Sequence, residues 1–283
     1  MGTDSWNRTW KGQFSPRSAT GRSSLVEPLP HHISCDALHV NFRADPDAIA
    51  QFLPPGVEPL EGGEGWAMIA EMAKVSAENP DQAWQDPARS TYNEGLVGFY
   101  CRFGERVGRY SSHVWVNRDW SMGMGSIFGW SKRLADVDRT RLQLSNPAFR
   151  DAERFTLGGT VSRYGNPVMK LSVSIARDAP LIDALPGHAG STFLYRYVPS
   201  PGPDVADVEQ LLELPLGNIE TREIRAGDGT LSFAEAPDEE LAALGKLEVT
   251  GGFAYQRGWT TAPQARLLHD YQEDCQNLKT AQT

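Results

Sequence analysis

Two periodicities run through the hydrophobic and polar positions of this chain, and the shorter one dominates. Val168 to Ala176 alternates apolar and polar residues over nine positions, the pattern of a strand with one wet face. Gly65 to Ala70, Leu96 to Cys101, His113 to Val116 and Phe155 to Leu157 are short, largely apolar runs that read as further strands. Gly, Asn and Pro punctuate them, which predicts an antiparallel sheet system with few helices. Helical signals are sparse. Asp45 supplies a cap, Pro46 a first helical position, Ala48 to Leu53 a body, and Pro54-Pro55-Gly56 a stop. Ser121 to Phe128 predicts a short helix with Lys132 near its C-terminal side. Leu267, Leu268, Tyr271, Cys275 and Leu278 form an apolar stripe at helical spacing, predicting a helix that packs on the sheet. Pro199 to Pro203 reads as an exposed loop. No repeat or low-complexity linker divides the chain. The expected organisation is a flexible N-terminal arm over 1–25, able to drape over a neighbouring subunit, and a single domain over 26–283.

Composition narrows the partners. With 283 residues, 40% of them hydrophobic, and eight tryptophans, the chain can build a sizeable core. A net charge of −9 and a pI near 5.2 argue against nucleic acid or an anionic membrane as partner. A small anionic substrate is not excluded, because a site can be locally basic. The three cysteines, Cys35, Cys101 and Cys275, show neither metal-ligand spacing nor a disulfide framework, so a reducing cytoplasm is the default. No apolar run reaches transmembrane length, and the first 24 residues lack the apolar core of a secretory signal. The histidines show no ligand spacing, so no metal is expected, and Gly123-Met-Gly125 lacks the Gly-Lys-Ser of a phosphate loop.

The most informative segment runs from Ser126 to Ala135, where Lys132 and Arg133 stand side by side among apolar and small residues. Alone, such a dipeptide is usually a solvated surface pair. Inside an apolar run, desolvation and a like charge both disfavour the ammonium form. A neutral lysine amine condenses with a carbonyl to form an imine.

Gly129-Trp-Ser-Lys-Arg-Leu134 resembles the Gly-aromatic-Pro-Lys-Lys-Leu motif of the acetoacetate decarboxylase superfamily, in which a cationic neighbour is the recognised means of activating the lysine. Asn41 to Ala48, Tyr92-Asn-Glu-Gly95 and Tyr110 to Asp119 resemble further family segments in the same order. The resemblance implies an α+β fold: a large, curved antiparallel β-sheet, partly closed like a barrel or cone, with few helices. It implies a Schiff-base carbon–carbon lyase with Lys132 as nucleophile, Arg133 as the cation that lowers its pKa and Glu94 as proton carrier. Tyr255 resembles a late tyrosine of the aldolase-dehydratase-like branch, though such a residue is more often core. Glu94, seen without the motif, reads as an ordinary loop or edge carboxylate. Tyr92, Met122, Phe128 and Trp130 are candidates to line an apolar substrate pocket, or simply to pack. No cofactor is expected, because the imine itself serves as electron sink. The expected partner is a small carbonyl compound, and the expected assembly a homo-oligomer.

Departures from the motif shape the reaction expected. The decarboxylase branch carries a carboxylate-binding arginine at about the position of Cys35, and none stands there. Gly125-Ser126 occupies the place of an Arg-Glu pair, and Ser131 that of the proline. These changes favour aldolase or aldolase-dehydratase chemistry. The alternatives are a cofactor-free 3-oxo acid decarboxylase, in which Arg43 or Arg118 would hold the carboxylate, and a non-catalytic barrel that binds an apolar ligand.

Overall fold

The computed structural model describes residues 9–12, 14–185, 190–202, 206–262 and 264–272. Its strands are His31–Arg43 (β1), Val57–Pro59 (β2), Glu64–Ser76 (β3), Thr91–Phe103 (β4), Arg106–Val116 (β5), Lys132–Leu134 (β6) and Asp136–Arg139 (β7). Arg154–Arg163 (β8), Asn166–Ala176 (β9), Ser191–Pro199 (β10), Ala206–Leu214 (β11), Leu216–Phe233 (β12), Glu248–Thr261 (β13) and Arg266–Asp270 (β14) complete them. The α-helices are Pro46–Ala50 (α1), Gln82–Gln85 (α2), Asp119–Phe128 (α3) and Pro147–Arg150 (α4).

All fourteen described strands join one sheet in the order β14-β11-β10-β5-β4-β3-β1-β13-β12-β9-β8-β7, with β2 on β4 and β6 on β5. The α+β, sheet-dominated class is as expected. The sheet is mixed rather than purely antiparallel, since β5 pairs in parallel with both β10 and β6. It also stays open, with β14 and β7 as its edges.

The central strands are buried on both faces, and the pleat sorts their side chains into two cores. From β1, Leu38, Val40 and Phe42 enter one core, where Leu171, Val173 and Ile175 of β9 and Phe155 and Leu157 of β8 fold back to meet them. Ile33, Cys35 and Ala37 face the other way. That second core is covered by Trp120 and Met124 of α3 and by Phe14 and Val26 of the N-terminal segment. Phe14 is only 2% exposed, so this part of the expected free arm lies against the domain.

Two expectations change. Leu267 and Leu268 do not begin a helix: residues 266–270 form β14, pairing antiparallel with the otherwise open edge of β11. Leu267 is half exposed, so the apparent helical stripe is not one buried face, and Cys275 and Leu278 lie outside the described residues. Lys132 does not ride on α3. Gly129 ends that helix in a left-handed conformation, φ 95°, with its N–H bonded to the Gly125 carbonyl, and the chain turns into β6. Pro199 closes β10 and residues 200–202 form an exposed turn, as expected for a loop there; Pro203 lies outside the described residues.

Gly129 is constrained twice. Its φ suits glycine, and a Cβ there would stand 2.9–3.0 Å from the backbone of Tyr195 and Arg196. Gly129→Ala is expected to cost at least about 1–2 kcal/mol from the left-handed backbone alone, with more from the contact. Urea unfolding of the variant against the parent chain measures this.

Candidate active site

The register of the sheet lays out the face beneath α3 in transverse rows. One row reads Tyr255, Ala37, Ala70, Glu94 and Val116 across β13, β1, β3, β4 and β5. A neighbouring row reads Phe253, His39, Met68, Leu96, Val114 and Lys132, ending on β6. A third, on the other side of the first, reads Arg257, Cys35, Met72 and Tyr92. Ala37 and Ala70 are fully buried, and their short side chains leave a floor between Tyr255 and Glu94. Three inter-strand steps separate those two residues, about 14 Å along the sheet at ~4.8 Å per step.

Lys132 and Glu94 meet at one end of this floor. The lysine Nζ donates to Glu94 Oε2 at 2.8 Å and to Ser121 Oγ at 3.1 Å, and lies 5.2 Å from the centre of the Tyr92 ring. Both side chains are buried, at 6% and 8% exposure. A buried ion pair is tolerated only when its hydrogen-bonding groups are matched, and Ser121 supplies a second acceptor to the ammonium. Gly125 makes room for the stem: a Cβ there would lie 2.7 Å from Lys132 Cγ and Cδ. Tyr92 is buried and packs edge-on against Trp120 at 5.1 Å; burial, then the Glu94 charge, hold its phenol well above the ordinary range. Behind Trp120 stands a second buried lysine, Lys74, with Nζ 2.6 Å from Glu27 Oε2 and 4.9 Å from the Trp120 ring. Burial pulls its pKa down, against the pull of Glu27.

Tyr255 stands at the far end of the floor, 3% exposed. Its hydroxyl lies 3.4 Å from His39 Nδ1 and 3.7 Å from Met68 Sδ, in the row that ends on Lys132. Burial pushes its pKa up, so the phenol keeps its proton at neutral pH. Burial pushes His39 down to about 4, leaving a neutral ring that bonds Asn41 at 2.7 Å. An open cavity of about 1330 Å³ is lined by Cys35, Met72, Tyr92, Tyr255 and Arg257 among others; Lys132 and Glu94 lie behind Tyr92 and do not line it.

The other expected residues distribute as follows. Arg133 is not brought to Lys132. Adjacent residues of a strand point to opposite faces, and Arg133 Nη1 bonds Glu239 Oε2 at 2.8 Å in the other core, where Trp115 Nε1 also reaches Glu239. Met122 packs on the second core from α3. Phe128 lines a smaller cavity of about 360 Å³ with Phe14, Leu29 and Leu212, and Trp130 packs beside Leu212 and Leu214. Arg43 is exposed and 3.8 Å from Glu64, and exposed Arg118 precedes α3 at the rim of the large cavity. Two residues on this face went unread in the sequence: Arg109, buried on β5, and Arg257. The signal for Arg257 was its i+2 spacing from Tyr255, which puts both on one face of a strand. Among the described residues, no group of three or more His, Cys, Asp or Glu could hold a metal ion, and no helix is long and apolar enough to cross a membrane.

The chain belongs to the acetoacetate decarboxylase family, whose model matches residues 14–272. Among solved structures it is similar to the enduracididine biosynthesis enzyme MppR, complexed with the condensation product of pyruvate and imidazole 4-carboxaldehyde: 28% identity, TM-score 0.83, covering 93% of this chain and 98% of that one. It is also similar to an acetoacetate decarboxylase-like enzyme from Sphingomonas wittichii RW1, at 26% identity and TM-score 0.83, covering 92% of this chain and all of that one. Acetoacetate decarboxylase from Legionella pneumophila shares the fold at 16% identity and TM-score 0.71, covering 88% and 90%. No curated protein matches by sequence.

Gly125→Ala tests the packing of the lysine. The added methyl is expected to push the Lys132 stem off its line to Glu94 and to lower stability by about 1–3 kcal/mol, the usual cost of overpacking, as measured by urea unfolding. Circular dichroism should report an unchanged fold.

Proposed function

We propose that this protein is a Schiff-base carbon–carbon lyase, acting as an aldolase or aldolase-dehydratase on a 2-oxo acid. The observation that carries the reading is the buried contact of Lys132 Nζ with Glu94 Oε2 at 2.8 Å. An amine held against a carboxylate has an immediate proton acceptor when it attacks a carbonyl. The similarity to MppR, a structure of which holds a pyruvate condensation product, supports a 2-oxo acid as the carbonyl component.

In this reading the Lys132 amine, its extra proton passed to Glu94, adds to the keto carbon. Glu94 returns a proton to the carbinolamine hydroxyl, which leaves as water, and the C–N double bond forms. The iminium withdraws the electrons of the neighbouring C–H bond, and transfer of that proton to Glu94, ionised again, gives an enamine. The enamine carbon attacks an aldehyde, whose oxygen takes up one proton to become a hydroxyl; a second proton leaves the attacking carbon to regenerate the enamine, which expels the hydroxyl, protonated, as water and forms the C–C double bond. Water finally cleaves the imine, freeing an unsaturated 2-oxo acid and Lys132. Tyr255, kept protonated by burial, is suited to donate to the aldehyde oxygen. Arg133, paired with Glu239 on the other face, has a structural task in this scheme.

Borohydride added with pyruvate should fix the substrate to the peptide containing Lys132, read by peptide mass mapping. Labelling of Lys74 or Lys170 in its place would overturn the site. Pyruvate with an aromatic aldehyde should yield a new near-ultraviolet absorbance. Brisk carbon dioxide release from acetoacetate with no condensation product would restore the decarboxylase alternative.

Glu94→Gln keeps the shape and a hydrogen-bond acceptor but removes the proton carrier. Its turnover should fall by roughly 10²–10⁴-fold, the usual worth of a general acid–base group, with a far smaller change in KM. Steady-state kinetics of the condensation decide this.

A further inference from the structure

The smaller cavity, of about 360 Å³, has no part in the imine chemistry, and neither Lys132 nor Glu94 lines it. Its floor is one face of the β10–β11–β14 edge of the sheet. Side chains two apart on a strand share a face, so Leu194 and Arg196 stand together on β10, and Gln210 and Leu212 on β11. The register sets Arg196 opposite Gln210, and Leu212 between Leu194 and Leu267. Phe128, at the C-terminal end of α3, and Phe14 of the N-terminal segment wall the cavity, their ring centres 6.4 Å apart. Ile127 and Leu267 also line it and are exposed, so apolar surface is left open to water.

Among the described residues that line this cavity, Arg196 is the only cation, and there is no acid. The Arg196 Nε is buried without an acceptor, and its guanidinium has no ion pair among the described residues. The acids of the neighbouring strands are engaged elsewhere. Asp270, across from Gln210 on β14, accepts from Gln210 Nε2 at 3.0 Å and does not line the cavity. Glu209 accepts from the Tyr195 hydroxyl at 2.5 Å, on the other face of the sheet. A chain with a net charge of −9 has acids to spare, yet none is set against this guanidinium.

A buried donor without an acceptor is unfavourable, and more so when it carries charge. An anion beside Arg196 removes that penalty, and a planar guanidinium matches a carboxylate. Apolar walls with a few polar groups to fix orientation are the usual make-up of a small-molecule site, and the volume falls in the usual range of roughly 300–1,000 Å³. We propose that this cavity is a second binding site, for a small organic carboxylate with an apolar body. The carboxylate pairs with Arg196, and the body lies against Phe128, Phe14 and Leu212.

Titration calorimetry with cinnamate, and with cinnamyl alcohol as its uncharged counterpart, tests this. Neither carries a ketone, so the result is independent of the imine reading. Cinnamate should bind the parent chain, and the alcohol at least tenfold more weakly. Arg196→Gln should weaken cinnamate tenfold or more and leave the alcohol unchanged, while Lys132→Ala binds cinnamate as the parent does. No binding of cinnamate to the parent chain, or equal affinity in Arg196→Gln, overturns the proposal. So does loss of binding in Lys132→Ala, which would put the anion at the lysine. An affinity that falls as the chain self-associates, followed by sedimentation, would give the groove to a second copy and overturn it too. Should Arg196→Gln fail to fold, Ala265→Phe, which fills the cavity from another wall, decides: cinnamate binding weakened tenfold supports the site, and unchanged binding overturns it.

Discussion

Burying the Lys132–Glu94 pair is the constraint around which this face is arranged. Each ion taken from water costs several kcal/mol even after relaxation, and their attraction offsets that only when geometry and remaining hydrogen bonds are good. The surroundings meet those terms one by one. Gly125 clears the path of the lysine stem, Ser121 takes a second ammonium proton, and Tyr92 lays its ring near Nζ. α3 must then end abruptly so that the chain can return to the sheet, and Gly129 provides the left-handed step. β6 is only three residues long, yet its parallel pairing with β5 fixes Lys132 opposite Val114, one row from Glu94.

The pleat explains why two adjacent cations have different partners. Lys132 and Arg133 face opposite cores, and each finds its own acid, Glu94 or Glu239. Glu239 also accepts from Trp115, so the Arg133 pair ties the β5–β6 joint to the segment that follows β12. The dipeptide suggested two cations side by side; in the fold the Arg133 side chain points to the other core and pairs there with Glu239. Other cations on the lysine's face, Lys74, Arg109 and Arg257, come from β3, β5 and β13.

How much was legible follows from the same two-sided burial. β9 has one wet face, and its alternation could be read directly over Val168–Ala176. β5 is buried from Gly108 to Val116, so apolar residues, serines and a histidine follow one another with no period to detect. β12 fails for the opposite reason: most of its eighteen residues are at least partly exposed, and only Ile224 is buried. The Lys132–Glu94 pairing was visible through local motifs, because each residue carries its own signature. Arg109 and Arg257 were not, because what makes them neighbours is sheet order, and β1, β3 and β4 lie between their strands.

That order also sets what the cavity can discriminate. The Lys132–Glu94 end of the floor is assembled from β4, β6 and α3, and the Tyr255 end from β13 and β1, with buried alanines between. A hydrophobic floor distinguishes substrates weakly, since one methylene is worth only about 1–3 kcal/mol. A buried charged group distinguishes them strongly, because a ligand that leaves it unpaired forfeits the matched contact. Selectivity in such a site must therefore come from its ends rather than its walls. Under the imine proposal, the Lys132 end selects for a carbonyl, and the Tyr255 end for whatever polar group lies a fixed span away. Two members of this fold can thus share the lysine and glutamate and still act on different molecules, through changes confined to strands that never touch the lysine.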